Sequence, residues 1–382
     1  MTGPFSARIR DGKKIVEYLG NRQYKKIHNV SARAFSKKIL KERLDDLVTN
    51  KHYYHLHKID NSIFLAATEY FHKLGAEWCN LPLTTLMISS PGEVYAGKKL
   101  DYTTDTLPIE ISWFNNHKRI FLTESSQFYL ELRLLTKDVN KVFSIYNSFR
   151  KEKADFSHLA EFQHIEFEGK MDFNNNVKTA ISFLKYITKY LIRNNSDDLF
   201  YYLTKKEIKL LAKTFDNENI IELPLKEALK ILYSETKNTA YKKFSLKNFG
   251  SWEEIKLTEI LKGHVIITDF PVDEIPFYHN TSKRDQDGDL VAQNADVILS
   301  GYREVIGSGV RISDSVVLAE KARAFNLPLK DYEPYLKTRR FKHYQKTAGF
   351  GFGWQRYVQW LLRLPYIWDA THIPRGQYLP KP

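Results

Sequence analysis

Phe149-Arg150-Lys151-Glu152, then His158-Leu159-Ala160-Glu161-Phe162, then Ile165-Glu166-Phe167-Glu168 is the stretch whose reading decides the fold. The runs from Val142 to Tyr146 and from Phe162 to Glu168 read as strands, so the stretch is strand, loop, strand. An arginine at a strand end can meet a phosphate with a forked pair of donors. An aromatic on the return strand can stack on a base. Taken alone, an Arg-Glu pair is usually a surface ion pair, so the weight falls on what accompanies it.

Two further stretches accompany it. Asp296 to Leu299 is followed by Glu304-Val305-Ile306-Gly307-Ser308-Gly309-Val310-Arg311-Ile312, and near the end stands Gly349-x-Gly351-x-Gly353-Trp354-Gln355-Arg356. Three glycines before a helix let backbone and ligand approach closely, and Arg356 on that helix adds a fixed cation. Helical patterning runs over Ser31 to Val48, Asp60 to Leu74 (ended by Gly75), Val177 to Arg193, Lys205 to Phe215 and Trp354 to Leu362. Ile109 to Trp113, Arg119 to Leu122, Val265 to Phe270 and Ala295 to Leu299 read as strands. The charged stretch from Ser196 to Lys247 is mostly helical, carries no evident chemistry and reads as an insertion. The aspartates between Lys283 and Asp289 hint at a calcium loop, but Leu290 stands where such a loop needs glycine, and an Asp-Gly hairpin turn is the better reading.

Composition sets the outer bounds. The chain has 382 residues, 43% of them hydrophobic and 14% aromatic, enough for one large core with an appendage. Cys79 is the only cysteine, which excludes a disulfide framework, points to a reducing, cytoplasmic setting and reads as a buried structural thiol. Met1 to Lys14 lacks the apolar run of a secretory signal, and no segment is long and apolar enough to span a bilayer, so no membrane partner is expected. A net charge of +13 favours a polyanionic partner, although a solvated lysine surface would give the same balance. Residues 1–58 form a basic, irregular, partly helical extension: either a nucleic-acid-binding arm or an amphipathic helix packed on the main domain. His52, His55 and His57 lack cysteine partners and regular spacing, and read as a surface histidine-tyrosine stretch rather than a metal site.

Jointly, these motifs resemble the catalytic core of class II aminoacyl-tRNA synthetases of the asparaginyl/aspartyl type. Phe149 to Glu152 resembles motif 2, His158 to Phe162 the His-Leu-x-Glu-Phe of asparaginyl enzymes, Gly349 to Arg356 motif 3, and Pro82 the dimer-interface proline of motif 1. Leu122 to Glu131 is similar to the amino-acid-binding segment, and Thr268 to Pro271 with Phe277-Tyr278 fit the same family. The resemblance covers roughly Asp60 to Arg375, apart from the insertion. It implies an α+β fold, an antiparallel sheet flanked by helices, as a catalytic domain over residues 59–382, and pairing as a homodimer. It implies an ATP-dependent ligase that forms an aminoacyl adenylate. Arg150 would bind the α-phosphate, with Glu152 beside it in the ATP site. Phe162 and Arg356 would sandwich the adenine, and His158 would meet the γ-phosphate. Asp296 and Glu304 would hold Mg²⁺, while Ser125, Gln127, Glu131 and Arg311 would hold the amino acid.

The departures shape the expected function. Ser157 stands where the family has an arginine, Gln355 where it has a glutamate, and Ile367-Trp368-Asp369-Ala370 where it has Ile-Arg-Asp-Val. The residues before Asp60 are too few for the family's anticodon-reading barrel. The leading expectation is therefore activation of asparagine or aspartate with transfer to ammonia or another non-tRNA acceptor. Aminoacylation of tRNA and a non-catalytic, regulatory or RNA-binding role are the alternatives. Leu130-Glu131 follows the asparaginyl pattern, and an acid at 131 disfavours a second carboxylate and favours an amide.

Overall fold

The computed structural model describes residues 3–90, 95, 107–114, 118–216 and 220–379. Its centre is the hairpin expected around motif 2: β8 (Lys141–Phe149) pairs antiparallel with β9 (Glu161–Gly169), from Lys141 opposite Gly169 to Phe149 opposite Glu161. β16 (Ala348–Gly353) lies on the other side of β9, followed outward by β15 (Glu304–Val310), β14 (Asn294–Ile298), β11 (His264–Thr268) and β10 (Ile220–Pro224); β4 (Glu77–Trp78) closes the far edge. The eight-stranded sheet is antiparallel except at its two edges, where β10 runs parallel to β11 and β4 parallel to β8. It is the α+β architecture expected of the motifs.

The three glycines of the third stretch lie on a strand, not in a loop. Strand alternation sends Phe350 and Phe352 into the core and turns Gly349, Gly351 and Gly353 to the other face. A Cβ on Gly349 would overlap Glu168 Oε2 and the Phe167 carbonyl on the neighbouring strand. On the apolar face lie α2 (Lys51–Lys73) and α4 (Phe173–Asn194), while α3 (Gln127–Arg133) packs on β8 and β9 from the other face. Phe71 of α2 stacks on Phe143 at 4.7 Å and Phe167 at 5.6 Å, with Phe183 of α4 at 4.8 Å. Buried aromatic pairs of this kind contribute about 0.5–1.5 kcal/mol each beyond their area.

Several local expectations need correction. α2 begins at Lys51 rather than Asp60, because the Asn50 side chain accepts from the His52 amide and caps it. Its first turn is therefore not a surface histidine stretch: His52 is buried, bonding the Tyr202 hydroxyl at 2.7 Å and the Asp369 carbonyl at 2.7 Å. Burial lowers its pKa to about 4. Upstream, α1 (Lys37–Thr49) matches the expected helix, but the preceding residues are not irregular. β1 (Phe5–Arg10) and β2 (Lys13–Tyr18) form a hairpin, joined by β3 (His28–Asn29). Asp11 and Gly12 turn it with φ of 49° and 72°, as two-residue hairpins require. Its apolar face (Phe5, Ala7, Val16, Tyr18) belongs to the main core, whereas arginines and lysines on the other face gave the stretch its basic look.

The region from Ser196 to Lys247 is helical in α5 (Ser196–Tyr202), α6 (Lys205–Leu211) and α7 (Leu225–Thr236), but also supplies β10 to the main sheet. α8 (Ser251–Leu261) then leads into β11. The aspartate-rich loop is a hairpin turn between β12 (Thr281–Arg284) and β13 (Leu290–Ala292), with Gly288 at φ 86°. Lys226 of α7 bridges its three carboxylates, 2.5 Å from Asp285, 3.0 Å from Asp287 and 2.6 Å from Asp289. A small sheet of β5 (Thr84–Thr85), β7 (Ile120–Leu122) and β6 (Ile109–Ile111) leads into α3, while α9 (Ser315–Ala324), α10 (Leu329–Lys337) and α11 (Trp354–Leu361) complete the layers. Cys79 is a buried free thiol whose pKa burial raises. Among the described residues no helix is long and apolar enough to cross a membrane.

Candidate active site

The polar face of the central strands floors a cavity of about 320 Å³. Ser125, Gln127, Arg150, Glu152, His158 and Phe162 line it, and so do Asp296, Glu304, Arg311 and Arg356. Residues more than 200 positions apart in the chain meet there because β9, β16 and β15 are adjacent strands. Of the residues singled out in the sequence, Glu131 alone does not line the cavity. It lies behind Arg311, accepting from Arg339 Nη2 at 2.7 Å and the Tyr335 hydroxyl at 2.7 Å.

One end of the cavity is organised by buried charges. Arg311 follows β15 and donates from Nη2 to Glu168 Oε2 at 2.8 Å and from Nε to Oε1 at 3.1 Å. Its Nε is 3.9 Å from Glu131, so Glu168, Arg311, Glu131 and Arg339 form a continuous alternation of charge. Burial opposes the Arg311 charge, but the Glu168 carboxylate outweighs it and raises the pKa. Gln127 donates to Glu168 at 2.5 Å and to the Phe167 carbonyl at 2.8 Å, so its amide orients the glutamate.

Glu166, two residues before Glu168, reaches the cavity itself. Ser125 Oγ donates to its Oε1 at 2.6 Å, and the Tyr146 hydroxyl donates to Oε2. Burial raises its pKa to about 7, against the pull of these donors and of Arg311. Sequence reasoning quoted Glu166 without giving it a task. The available signal was its period-two spacing from Glu168, which puts both acids on one face of β9, the face shared with their cross-strand partners Gly351 and Gly349 of β16.

The other end carries the groups suited to a nucleotide. Arg150 stands just past β8, its guanidinium carbon 5.3 Å from the centre of the Phe162 ring. Arg356, on the first turn of α11, donates to the Glu304 carbonyl at 3.2 Å and lies 3.6 Å from its carboxylate. His158 Nδ1 donates to Asp155 at 3.0 Å, while its Nε2 accepts from Arg303 at 2.6 Å. Burial would raise the Asp155 pKa, but the bonds from His158 and the Ser157 amide and the charge of Arg303 hold it well below the usual range. The carboxylates of Glu304 and Asp296 converge over Gly307: a Cβ there would lie 2.8 Å from Glu304 Oε1 and 3.6 Å from Asp296 Oδ1. Two carboxylates converging beside the cavity fit Mg²⁺, which is commonly held by one or two carboxylates plus phosphates and water.

The departures from the family pattern have local accounts. Gln355 Oε1 accepts from the Gln163 amide at 2.9 Å and its Nε2 donates to the Gln163 side chain at 3.0 Å, so it pins α11 to β9. Trp368 is buried between Tyr366, stacked at 4.4 Å, and Phe35 at 5.5 Å; it serves packing of the N-terminal region. Ser157 accepts from Arg303, a residue that sequence reasoning missed because only the fold brings it there. The region read as an insertion also reaches the cavity at its end, through Leu246.

An arginine at a strand end, an aromatic on the return strand and paired carboxylates on one sheet are the groups expected of a class II type of nucleotide site. The chain belongs to the family described as tRNA synthetases class II (D, K and N), whose model matches residues 36–377. It is similar to the asparagine–tRNA ligase of Protochlamydia amoebophila, 29% identical over 341 residues, covering 83% of this chain and 69% of that protein. The asparagine–tRNA ligase of Lactobacillus gasseri is 27% identical over 342 residues, 87% and 73% of the two chains. Among solved structures, asparaginyl-tRNA synthetase from Pyrococcus horikoshii complexed with asparaginyl-adenylate superposes with a TM-score of 0.78 at 23% identity, covering 97% of this chain and 83% of that one. That from Entamoeba histolytica gives 0.74 at 20% identity, covering 92% and 73%. These superpositions establish the fold, and family membership makes the chain an ATP-dependent ligase.

Proposed function

We propose that this chain activates asparagine with ATP as its adenylate and transfers it to tRNA. The observation that carries the choice of amino acid is Glu166, buried at the Ser125 and Gln127 end of the cavity with Arg311 beside it. A side-chain amide offers one acceptor and two N–H donors, which suit a guanidinium and a carboxylate respectively. A ligand carboxylate would meet Glu166 with like charge. Sequence reasoning drew the same preference from Glu131; with Glu131 behind Arg311, Glu166 now carries that argument.

In this reading the asparagine α-carboxylate attacks the α-phosphorus of ATP. A P–O bond forms to the carboxylate as the bond to pyrophosphate breaks. No side-chain base is required, since the nucleophile is already ionised. Arg150 stabilises charge on the α-phosphate, Phe162 and Arg356 hold the adenine, and His158 meets the outer phosphates, with Glu152 beside Arg150 in the same site. Catalysis is positioning and electrostatic stabilisation. Mg²⁺ on Asp296 and Glu304 would neutralise phosphate charge.

For the acceptor, sequence reasoning put ammonia or another non-tRNA group first. The similar proteins are named asparagine–tRNA ligases, and the charge of +13 suits a polyanionic partner, so tRNA takes that place. A cytoplasmic setting goes with this acceptor. A homodimer would cover the groove between α2 and β4, where Phe64 and Trp78 are 48% and 60% exposed. The test is ATP–pyrophosphate exchange with asparagine and with aspartate, followed by charging of tRNA with labelled asparagine. Exchange with asparagine and a charged tRNA would support the proposal. Exchange without charging would sink the tRNA acceptor, and no exchange with either amino acid would sink the enzyme reading of this site.

A further inference from the structure

Ser157 and His158 share a partner from a distant part of the chain. Arg303 sits in the turn between β14 and β15, is 5% exposed and lines the cavity. Its Nη1 donates to Ser157 Oγ at 3.1 Å and to His158 Nε2 at 2.6 Å. Its Nε donates to Glu254 of α8 at 3.0 Å, and the same Glu254 oxygen accepts from the Glu304 amide at 3.2 Å. One carboxylate thus sets both the direction of Arg303 and the backbone of its neighbour Glu304. The turn is braced from outside. The Phe5 amide donates to the Gly301 carbonyl at 3.1 Å, the Phe5 ring stacks on Tyr302 at 5.4 Å, and Gly3 packs so closely on Gly301 that a Cβ on either would overlap the other segment. The N-terminal hairpin therefore helps fix Arg303.

Ser157 is fully buried beneath this guanidinium, so an arginine side chain at 157 and Arg303 in its present place exclude each other. A cation fixed by one buried carboxylate, bonded to a histidine and open to a cavity that also holds Arg150 and Arg356, is arranged for a polyanion. We propose that Arg303 is a phosphate-binding residue, supplying from the β14–β15 turn the charge that the family resemblance expects at position 157, and that with His158 it receives the outer phosphates of a nucleoside triphosphate. This rests on the reading of the cavity as an ATP site, and it goes beyond that reading by assigning a relocated cation.

The test compares ATP and AMP binding by calorimetry in the presence of Mg²⁺, together with thermal unfolding, for the wild-type chain, Arg303→Met, Arg303→Lys, Arg303→Gly and Arg303→Gly with Ser157→Arg. Loss of a charge-assisted contact should weaken ATP binding about tenfold or more in Arg303→Met while AMP binding changes less than about twofold. Arg303→Lys should fall between, keeping charge without the fork. The double variant should bind ATP more tightly than Arg303→Gly alone. Equal losses for ATP and AMP, or a lower Tm with ATP affinity unchanged, would overturn the proposal and leave Arg303 as a structural partner of Glu254. Wild-type protein that binds ATP no better than AMP would overturn it as well. Calorimetry needs no turnover, so protein that grips ATP through Arg303 yet gives no exchange with asparagine would sink the proposed function and leave this inference standing.

Discussion

The two ends of the cavity are built on different principles. At the end proposed for the amino acid, Arg311 and Glu168 are almost wholly buried, 3% and 0% exposed, and tied to Gln127 in a closed set of hydrogen bonds. At the nucleotide end, Arg356 and Glu304 are 19% and 33% exposed and 3.6 Å apart. A closed, desolvated end fixes one small ligand and rejects its relatives. An open end of cations admits a large, flexible polyanion and can exchange one arginine for another without losing its charge. The departures at Ser157 and Gln355, both themselves buried, fall beside the cations of the open end, whereas the closed end keeps Ser125, Gln127 and Arg311.

The largest effect should come from breaking the closed end. Arg311→Met would strand Glu168 without its cation, and removal of one partner of a buried pair typically costs about 3–5 kcal/mol. Arg356→Met, by contrast, should change stability by less than about 1 kcal/mol, since exposed pairs contribute little. Urea unfolding of the two variants measures this directly. Equal losses would erase the distinction between a closed and an open end.

The next effect is on rate. Arg150→Ala should slow exchange by about a hundred- to a thousandfold, the usual consequence of removing a donor aimed at developing charge. Its KM for asparagine should move far less than kcat, because in the proposed reading Arg150 meets the α-phosphate and not the asparagine side chain. A rise in that KM with kcat intact would place Arg150 in amino-acid binding and blur the division between the two ends.

How far the sequence disclosed these ends follows from what each residue relies on. Arg150, Phe162 and the glycines at 349, 351 and 353 were legible because a strand period or a short motif fixes their place. Arg303 and Glu254 were not, because a turn and a helix meet only after the sheet has formed, and each residue looks locally like ordinary surface charge. The N-terminal hairpin was hidden similarly: its alternation is real, but one face carries Arg8, Arg10 and Lys13, and composition overrode pattern. Glu131 erred in the other direction. Its motif pointed to the right neighbourhood, but helix geometry turned it towards Arg339 and away from the cavity.

Glu166 sharpens the closed end further. Burial raises its pKa from 4.5 to about 7, so the neutral acid is favoured in the folded chain relative to the unfolded one. Its contribution to stability is therefore complete below about pH 4.5 and is lost as pH rises through about 7. Recognition of an amide needs the ionised form as acceptor, so the KM for asparagine should fall as pH rises through about 7. Glu166→Gln should flatten that profile and reduce the preference for asparagine over aspartate by about tenfold, the worth of one charge-assisted contact. A KM profile unchanged by the substitution would move specificity away from Glu166.

The smallest effect should come from restoring the family's glutamate at the open end. In Gln355→Glu the Oε1 acceptor for the Gln163 amide is kept, and only the Nε2 donor to the Gln163 side chain is lost. Rotation of the Gln163 amide would turn its own NH₂ towards the new carboxylate and remake the bond. Gln355 is 6% exposed and lines the same cavity as Arg356 and Arg150, so the cost of burying the added charge is offset by two nearby cations. The KM for ATP should therefore change by less than about threefold, since desolvation and attraction nearly cancel for a buried charge beside cations. A tenfold gain in exchange would mean that Gln355 limits triphosphate binding, and that this end does not tolerate substitution as its openness implies.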